Sequence, residues 1–388
     1  MAGAADLPFV DLRAQYLRLK DDIDARIARV LDHGHYMLGP EVAELEAELA
    51  RFAGCRHAVA VASGTDALLM PLMAEKAGPG DAVFVPAFTF AATAEVAVLR
   101  GAAPVFVDID PATFLIDIED LERKIRDTRA GGRLRPRAVI AVDLFGLAAD
   151  YDALRRVATD HGLILVADAA QSFGASRGGR RVGSLAPVTA TSFYPSKPLG
   201  CYGDGGAILT DDPALADAVR ELRNHGQRAR PPGFARIGLN SRLDTIQAAV
   251  LLAKLRVFDD EIAARNRLAA FYDRAFAGLA AKGLVVTAPR VAGTMSVWAQ
   301  YGIQCRNRDR VVEGLRALGI PTAVHYRRPV HLQPAYEAFG DGPGSLPATE
   351  HVSARILCLP MHPYMDEATA RRIADGVIAA VEQGEAAA

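Results

Sequence analysis

The chain is short of lysine, cysteine and tryptophan and has no long apolar run, and each shortage narrows what it can be. Its 388 residues include four cysteines, Cys55, Cys201, Cys305 and Cys358, none in a C-x-x-C pair. That scatter excludes a zinc ribbon, a thioredoxin-like motif and a disulfide framework, and it suits a reducing cytoplasm. Nowhere do about 18 apolar residues run uninterrupted, so no helix is expected to span a membrane. The opening residues carry Asp6 and Pro8 and lack the basic-then-apolar pattern of a secretory leader. Excess positive charge is missing too, since 44 Lys and Arg against 46 Asp and Glu leave a net charge of −2. Without a basic footprint, small molecules or other subunits are the expected partners, rather than nucleic acid or an anionic membrane. Of the 44 basic residues only Lys20, Lys76, Lys124, Lys197, Lys254 and Lys282 are lysines, so a lysine in an unusual setting stands out.

What is present reads as a soluble globular protein, with 51% hydrophobic and 23% charged residues on a chain long enough for two domains. Runs rich in Val, Ile and Ala at 58–62, 82–85, 104–107, 138–142, 163–167, 189–193 and 207–210 read as buried strands. Helical stretches at 66–76, 93–100, 118–126 and 152–161 alternate with them, which predicts a mainly parallel sheet covered on both faces. The last run, beside Gly203, Asp204, Gly205 and Gly206, is the expected antiparallel member. A helical pattern continues from Leu243 to about Phe276, placing Lys254, Asp259, Asp260, Glu261 and Arg265 on its wet side. Beyond it, a strand at 301–305 and helices at 308–318 and 366–382 predict a smaller α+β domain. The division is expected at 255/256, giving domains 1–255 and 256–388.

Four features at predicted strand ends carry chemistry. Lys197 sits in the loop Ser192-Phe-Tyr-Pro-Ser-Lys197-Pro-Leu-Gly, held between prolines after an apolar strand, where a poorly solvated amine can become a nucleophile. Asp168, in Asp-Ala-Ala-Gln171-Ser, falls at the carboxyl end of a parallel strand, where open α/β sheets place ligands; there it can pair with a pyridinium nitrogen or simply cap a helix. Ser63-Gly64-Thr65-Asp66 begins a helix whose free N–H groups suit a phosphate. Phe88 and Phe90 offer an aromatic face. An amine, an acid, a phosphate seat and a stacking ring are what pyridoxal phosphate requires. His325 and His331 have neither H-E-x-x-H spacing nor a carboxylate partner in sequence, so no metal site is expected.

The sequence also resembles the DegT-type sugar-nucleotide aminotransferases of the aspartate aminotransferase fold, a pyridoxal-phosphate-dependent α/β class of fold type I. The likeness runs through Asp11-Leu-Arg, Tyr36-Met-Leu-Gly-Pro-Glu-Val, Ser63-Gly-Thr-Asp-Ala-Leu, Asp168-Ala-Ala-Gln-Ser-Phe-Gly-Ala, Ser192-Phe-Tyr-Pro-Ser-Lys197 and Asn240-Ser-Arg-Leu-Asp-Thr-Ile-Gln-Ala-Ala. It implies a mostly parallel seven-stranded sheet, a smaller C-terminal α+β domain and a homodimer with shared active sites. By the same resemblance Lys197 would carry the cofactor covalently, Asp168 would pair with its ring nitrogen, and Gln171 would neighbour its ring hydroxyl. Gly64, Thr65 and Ser192 would bind its phosphate, joined by Asn240 of a second subunit, and Phe90, rather than Phe88, would stack on the ring.

Within that family the chain is similar to enzymes that use glutamate to aminate C3 of a UDP-linked 2-acetamido-3-keto hexuronic acid for bacterial surface polysaccharide. The shared pieces are Ser196-Lys-Pro-Leu-Gly-Cys-Tyr-Gly-Asp-Gly-Gly, Pro321-Thr-Ala-Val-His-Tyr326 and Leu359-Pro-Met-His-Pro-Tyr364. The resemblance places Arg242, His325, Tyr326 and Arg327 toward the substrate. It departs at Arg327, where proline is expected, and between Gln227 and Ile237. The competing expectations are amination of a dTDP-linked 3-keto or 4-keto-6-deoxy hexose, or a sensor that binds nucleotide sugar without turnover. A sugar dehydratase of this fold would carry histidine in place of Lys197, and a nicotinamide enzyme would need a G-x-G-x-x-G that residues 203–206 do not supply.

Overall fold

The computed structural model of the protein describes residues 7–228 and 231–386; Ala229 and Arg230, inside the divergent stretch 227–237, lie outside them. Seven strands build the main sheet: β1 (His57–Val61), β2 (Asp81–Pro86), β3 (Ala103–Val107), β4 (Arg135–Val142), β5 (Ile164–Asp168), β6 (Val188–Ser192) and β7 (Gly206–Thr210). Their order is β1-β7-β6-β5-β4-β2-β3, and the strands from β3 to β6 pair in parallel. Only β7 runs against its neighbours in this sheet, as the glycine cluster before it predicts.

Successive strand residues point to opposite faces, and here both faces are dry. Ala60, Val139, Ala141, Leu165 and Ala167 pack into one core cluster, while Val59, Val61, Ile140 and Val166 pack into another across the sheet. Helices α1 (Leu12–His33), α2 (Pro40–Ala53), α3 (Gly64–Ala74), α4 (Ala92–Leu99), α5 (Ile118–Gly131), α6 (Tyr151–His161) and α7 (Pro213–Leu222) accompany these strands. With this two-sided cover, the carboxyl ends of β4, β5 and β6 form one rim of the sheet, where loops can carry function.

The single helix expected from Leu243 to Phe276 is two. α8 (Thr245–Leu255) and α9 (Phe258–Ala281) meet at Arg256 and Val257, where Val257 takes φ −108° and ψ 4°. No proline or glycine marks the break, so the hydrophobic pattern runs across it unbroken. The expected wet face is also corrected: Asp259 and Asp260 are exposed, but Lys254, Glu261 and Arg265 are buried. α1 packs against α8, and Gln15 of α1 donates to both Glu261 oxygens, at 2.9 and 3.1 Å. Partners from distant sequence thus cover what the helical period alone assigns to solvent.

The C-terminal part has its own antiparallel sheet of β8 (Val285–Thr287), β9 (Tyr301–Cys305) and β10 (Ile356–Leu359), in that order. α10 (Arg308–Ala317), α11 (Pro347–Arg355) and α12 (Glu367–Ala386) complete it. Leu268, Tyr272, Phe276, Tyr301, Leu315 and Val377 are among its core residues. Among the described residues no helix is long and apolar enough to cross a membrane.

Candidate active site

Asp168 is the last residue of β5, paired in register with Val142 on one side and Ala190 on the other. It is only 6% exposed. Its Oδ1 accepts from the Ala170 N–H at 3.1 Å and its Oδ2 from the Thr93 hydroxyl at 3.0 Å. Burial pushes the Asp168 pKa up, and these two bonds and the nearby Lys197 charge oppose the rise. A buried carboxylate with so few donors is matched to a cationic partner.

Lys197 supplies a cation on the same rim. Its loop begins at the end of β6 and turns at once, with the Lys197 N–H donating to the Tyr194 carbonyl at 2.8 Å. Burial lowers the Lys197 pKa and Asp168 raises it. Among the described residues no side-chain hydrogen bond or ion pair engages its amine, and a desolvated amine of lowered pKa is a competent nucleophile. His325 shares this environment: burial lowers its pKa first, and the Lys197 charge adds to the effect.

Gln171 is held on both sides. The Phe145 N–H donates to its Oε1 at 2.8 Å, and its Nε2 donates to the Tyr326 hydroxyl at 3.2 Å. Tyr326 in turn packs edge-on against Phe88, ring centres 6.0 Å apart. Phe88 is fully buried among Phe114, Phe145 and Tyr326, whereas Phe90 is 60% exposed. Of the two rings, Phe90 is therefore the one with a face to offer a ligand.

The phosphate candidates meet at the start of α3. Ser63 caps that helix, its Oγ accepting from the Asp66 N–H at 3.1 Å. The first-turn N–H groups of Gly64 and Thr65 have no acceptor within the helix. A Cβ at Gly64 would lie 2.6 Å from the Ser192 Cβ, so glycine there lets the end of β6 approach the helix. A small cradle of N–H groups and one hydroxyl results, fitting a phosphate. With the free amine and buried acid nearby, these residues fit an aldehyde-bearing pyridine phosphate.

Ser241 ties the segment of Asn240 and Arg242 to this helix start, its hydroxyl accepting from the Ala62 N–H at 3.2 Å and donating to Asp66 Oδ2 at 2.6 Å. The Arg242 guanidinium donates to Asn240 Oδ1 at 2.6 Å and Asn224 Oδ1 at 3.0 Å, and its Nε is buried with no hydrogen-bond partner. Arg327 pairs with Asp309 of α10 at 3.0 Å, both side chains more than half exposed. A cleft of about 670 Å³ opens elsewhere, along the edge strand β3 and α5, and none of the expected site residues lines it.

Three residues near the site escape a reading of the sequence. Thr93 on α4 bonds Asp168, and its hydroxyl lies 3.0 Å from that of Thr89. Asp143, just past β4, is fully buried and accepts from the Ala149 N–H, the Tyr151 hydroxyl and the Ser172 hydroxyl at 2.7–2.8 Å. Burial pushes its pKa up to about 7. Lys254 reaches the loop of Lys197, its Nζ donating to the Gly200 carbonyl at 2.6 Å. The signal for Thr93 and Asp143 is their place just beyond strands β2 and β4, on the rim that carries Asp168.

Comparison with known proteins places this arrangement. The model of the DegT/DnrJ/EryC1/StrS aminotransferase family matches residues 18–378. The chain is 48% identical to a UDP-2-acetamido-2-deoxy-3-oxo-D-glucuronate aminotransferase of Pseudomonas aeruginosa, over 95% of this chain and 98% of that one. It superposes on a crystal structure of a DegT DnrJ EryC1 StrS aminotransferase from Brucella abortus with a TM-score of 0.93 and 50% identity, covering 96% of this chain and 99% of that one. NtdA of Bacillus subtilis, solved with bound cofactor PMP, gives a TM-score of 0.87 at 28% identity, over 98% and 86% of the respective chains. The expected α/β fold of type I, with its mostly parallel seven-stranded sheet, is thus the fold of this protein.

Proposed function

Because the chain belongs to the DegT/DnrJ/EryC1/StrS aminotransferase family, we propose that it moves an amino group from glutamate to C3 of UDP-2-acetamido-2-deoxy-3-oxo-hexuronic acid. The product would serve bacterial surface polysaccharide. One observation carries the amine transfer: Lys197, with an unengaged amine, lies near the buried carboxylate of Asp168 on the ligand rim of the sheet. The likeness to the Pseudomonas aeruginosa aminotransferase supports the choice of sugar.

The cofactor is pyridoxal 5'-phosphate, which when bound supplies an aldehyde and a ring that draws electrons from the reacting carbon. Gly64, Thr65 and Ser192 hold its phosphate against the positive end of α3, aided by Asn240 of a second subunit. Asp168 would pair with the ring nitrogen and keep it protonated, Gln171 would neighbour the ring hydroxyl, and Phe90 would offer the ring a stacking face. Lys197 anchors the cofactor through its amine; once displaced, it moves the proton to and from the substrate carbon as base and then acid. Glutamate leaves as 2-oxoglutarate, and the keto sugar nucleotide takes the nitrogen. Arg242 of the second subunit, His325, Tyr326 and, once released from Asp309, Arg327 would face the sugar and its carboxylate.

The working unit in this proposal is a cytoplasmic homodimer with shared sites. Tyr36, Met37, Leu38 and Tyr194 are large apolar side chains left exposed, and Tyr36 is tied to α8 by the bond from the Thr245 N–H to its carbonyl, 2.9 Å. A second copy covering them would bring Asn240 and Arg242 to its neighbour's pocket. The domain division at 255/256 is likewise proposed, with α9 as the joint: Phe258 and Ile262 pack in the large core, and Leu268 onward in the small one. A mass-spectrometric screen of keto sugar nucleotides with glutamate tests the substrate. A mass gain consistent with replacing the ketone by an amine on the UDP-3-oxo-hexuronate is expected, and amination of dTDP-keto hexoses alone would overturn the choice of sugar.

A further inference from the structure

Lys254 is a buried lysine that the proposed chemistry leaves unused. It sits near the end of α8 and is 1% exposed. Its Nζ donates to the Gly200 carbonyl at 2.6 Å and lies 4.2 Å from the centre of the Tyr202 ring. Glu261 of α9 is its nearby anion, and burial still lowers its pKa to about 8. A buried charge is expensive unless something specific holds it, and an apolar side chain would fill the same space at less cost. What Lys254 holds is the backbone three residues beyond Lys197.

That backbone is already folded back on itself. The Cys201 N–H donates to the Phe193 carbonyl at 2.8 Å, closing the turn that contains Lys197. Cys201 Sγ also reaches the Phe193 and Gly203 carbonyls, at 3.1 and 3.2 Å. A Cβ at Gly200 would meet the Pro195 carbonyl oxygen at 2.5 Å and that of Tyr194 at 2.6 Å, so the two arms of the turn touch at Gly200. Two helical turns before Lys254, Gln247 accepts from the Tyr202 N–H at 2.8 Å. Helix α8 therefore grips residues 200–202 twice, once by each side chain.

We propose that Lys254 is a positioning residue: by holding the Gly200 carbonyl and the Tyr202 ring, it aims the Lys197 amine at the cofactor aldehyde. The inference rests on the reading that Lys197 carries the cofactor. Its effect belongs to the step in which the amine adds to the aldehyde, water leaves and a carbon–nitrogen double bond forms. Binding of the cofactor's phosphate and ring, which other residues hold, does not depend on it.

Two measurements on the full-length apoprotein separate these roles. The first is the rate at which added pyridoxal 5'-phosphate becomes attached, followed by absorbance. The second is the affinity for pyridoxamine 5'-phosphate, which has no aldehyde and cannot join Lys197. Lys254→Met is expected to slow attachment at least tenfold while pyridoxamine phosphate affinity stays within threefold. Unchanged attachment overturns the proposal, and so does a parallel loss of both, which would make Lys254 a general packing residue. If Lys254→Met does not fold, Gln247→Ala decides: attachment at least threefold slower with unchanged pyridoxamine phosphate affinity supports the grip, and wild-type attachment overturns it. Failure of the wild-type protein to attach the cofactor at Lys197 would instead count against the proposed function.

Discussion

Thr93 Oγ1 donates a 3.0 Å hydrogen bond to Asp168 Oδ2, tying α4 to the end of β5. The bond fixes which way the carboxylate faces and favours its charged form. Thr93→Val keeps the shape and removes the donor. Hydrogen bonds to charged groups contribute about 1.5 kcal/mol or more, so pyridoxamine phosphate should bind roughly tenfold more weakly. Equilibrium dialysis of the variant checks this, and an unchanged affinity would show that Asp168 needs no help from Thr93.

Asp143 predicts a pH dependence of the apoprotein. Its folded pKa of about 7 lies above the unfolded value of about 4, so the folded state binds the proton more tightly. The stability this adds is complete below about pH 4 and is lost as pH rises through about 7, on the order of 4 kcal/mol for three pKa units. Tyr151 and Asp168 are its titratable neighbours. Asp143→Asn carries no such proton, so it should gain on the wild type between about pH 4 and about pH 7 in urea unfolding. A difference that stays flat with pH would mean that Asp143 titrates normally.

Arg327 and Asp309 form an exposed pair, and such pairs contribute about 0–1 kcal/mol. Arg327→Ala should leave stability almost unchanged. If Arg327 leaves Asp309 for the sugar carboxylate, the variant should raise KM roughly tenfold for a uronate substrate, as losing a charged hydrogen bond would, and spare the matching neutral hexose. Equal effects on both sugars, or none, rule out that role.

How much of this was legible in the sequence depends on whether the signal was local. The seven strands read well because their Val, Ile and Ala runs are buried on both faces, and the positions of Asp168, Gln171, Ser192 and Lys197, as distinct from their proposed roles, were legible because each stands at a strand end or in the loop after it. The break at Arg256 and Val257 did not, since no residue there forbids a helix. The helical period puts Lys254, Glu261 and Arg265 on the wet side because it cannot know that distant partners cover them: Gln15 of α1 bonds Glu261, and the loop at Gly200 and Tyr202 receives Lys254. Thr93 is 75 residues from its partner Asp168, and only the folded sheet joins them.

The proposed shared site predicts complementation. Lys197→Ala and Arg242→Ala should each be nearly inactive alone. In a mixed dimer one site takes both defects and the other takes neither; with random exchange about half the dimers are mixed, so about a quarter of wild-type activity should return. No recovery after confirmed subunit exchange would mean that Lys197 and Arg242 of one chain serve the same site.

The attachment of the cofactor to Lys197 is the claim on which the rest depends, and reduction followed by peptide mapping tests it directly. Borohydride treatment of the purified protein loaded with pyridoxal phosphate should fix the cofactor's mass on the peptide containing Lys197 and on no other. Glutamate added before reduction should abolish the label, since it leaves the cofactor as the free amine. A label on Lys254 or another lysine, or one that persists after glutamate, would contradict the account.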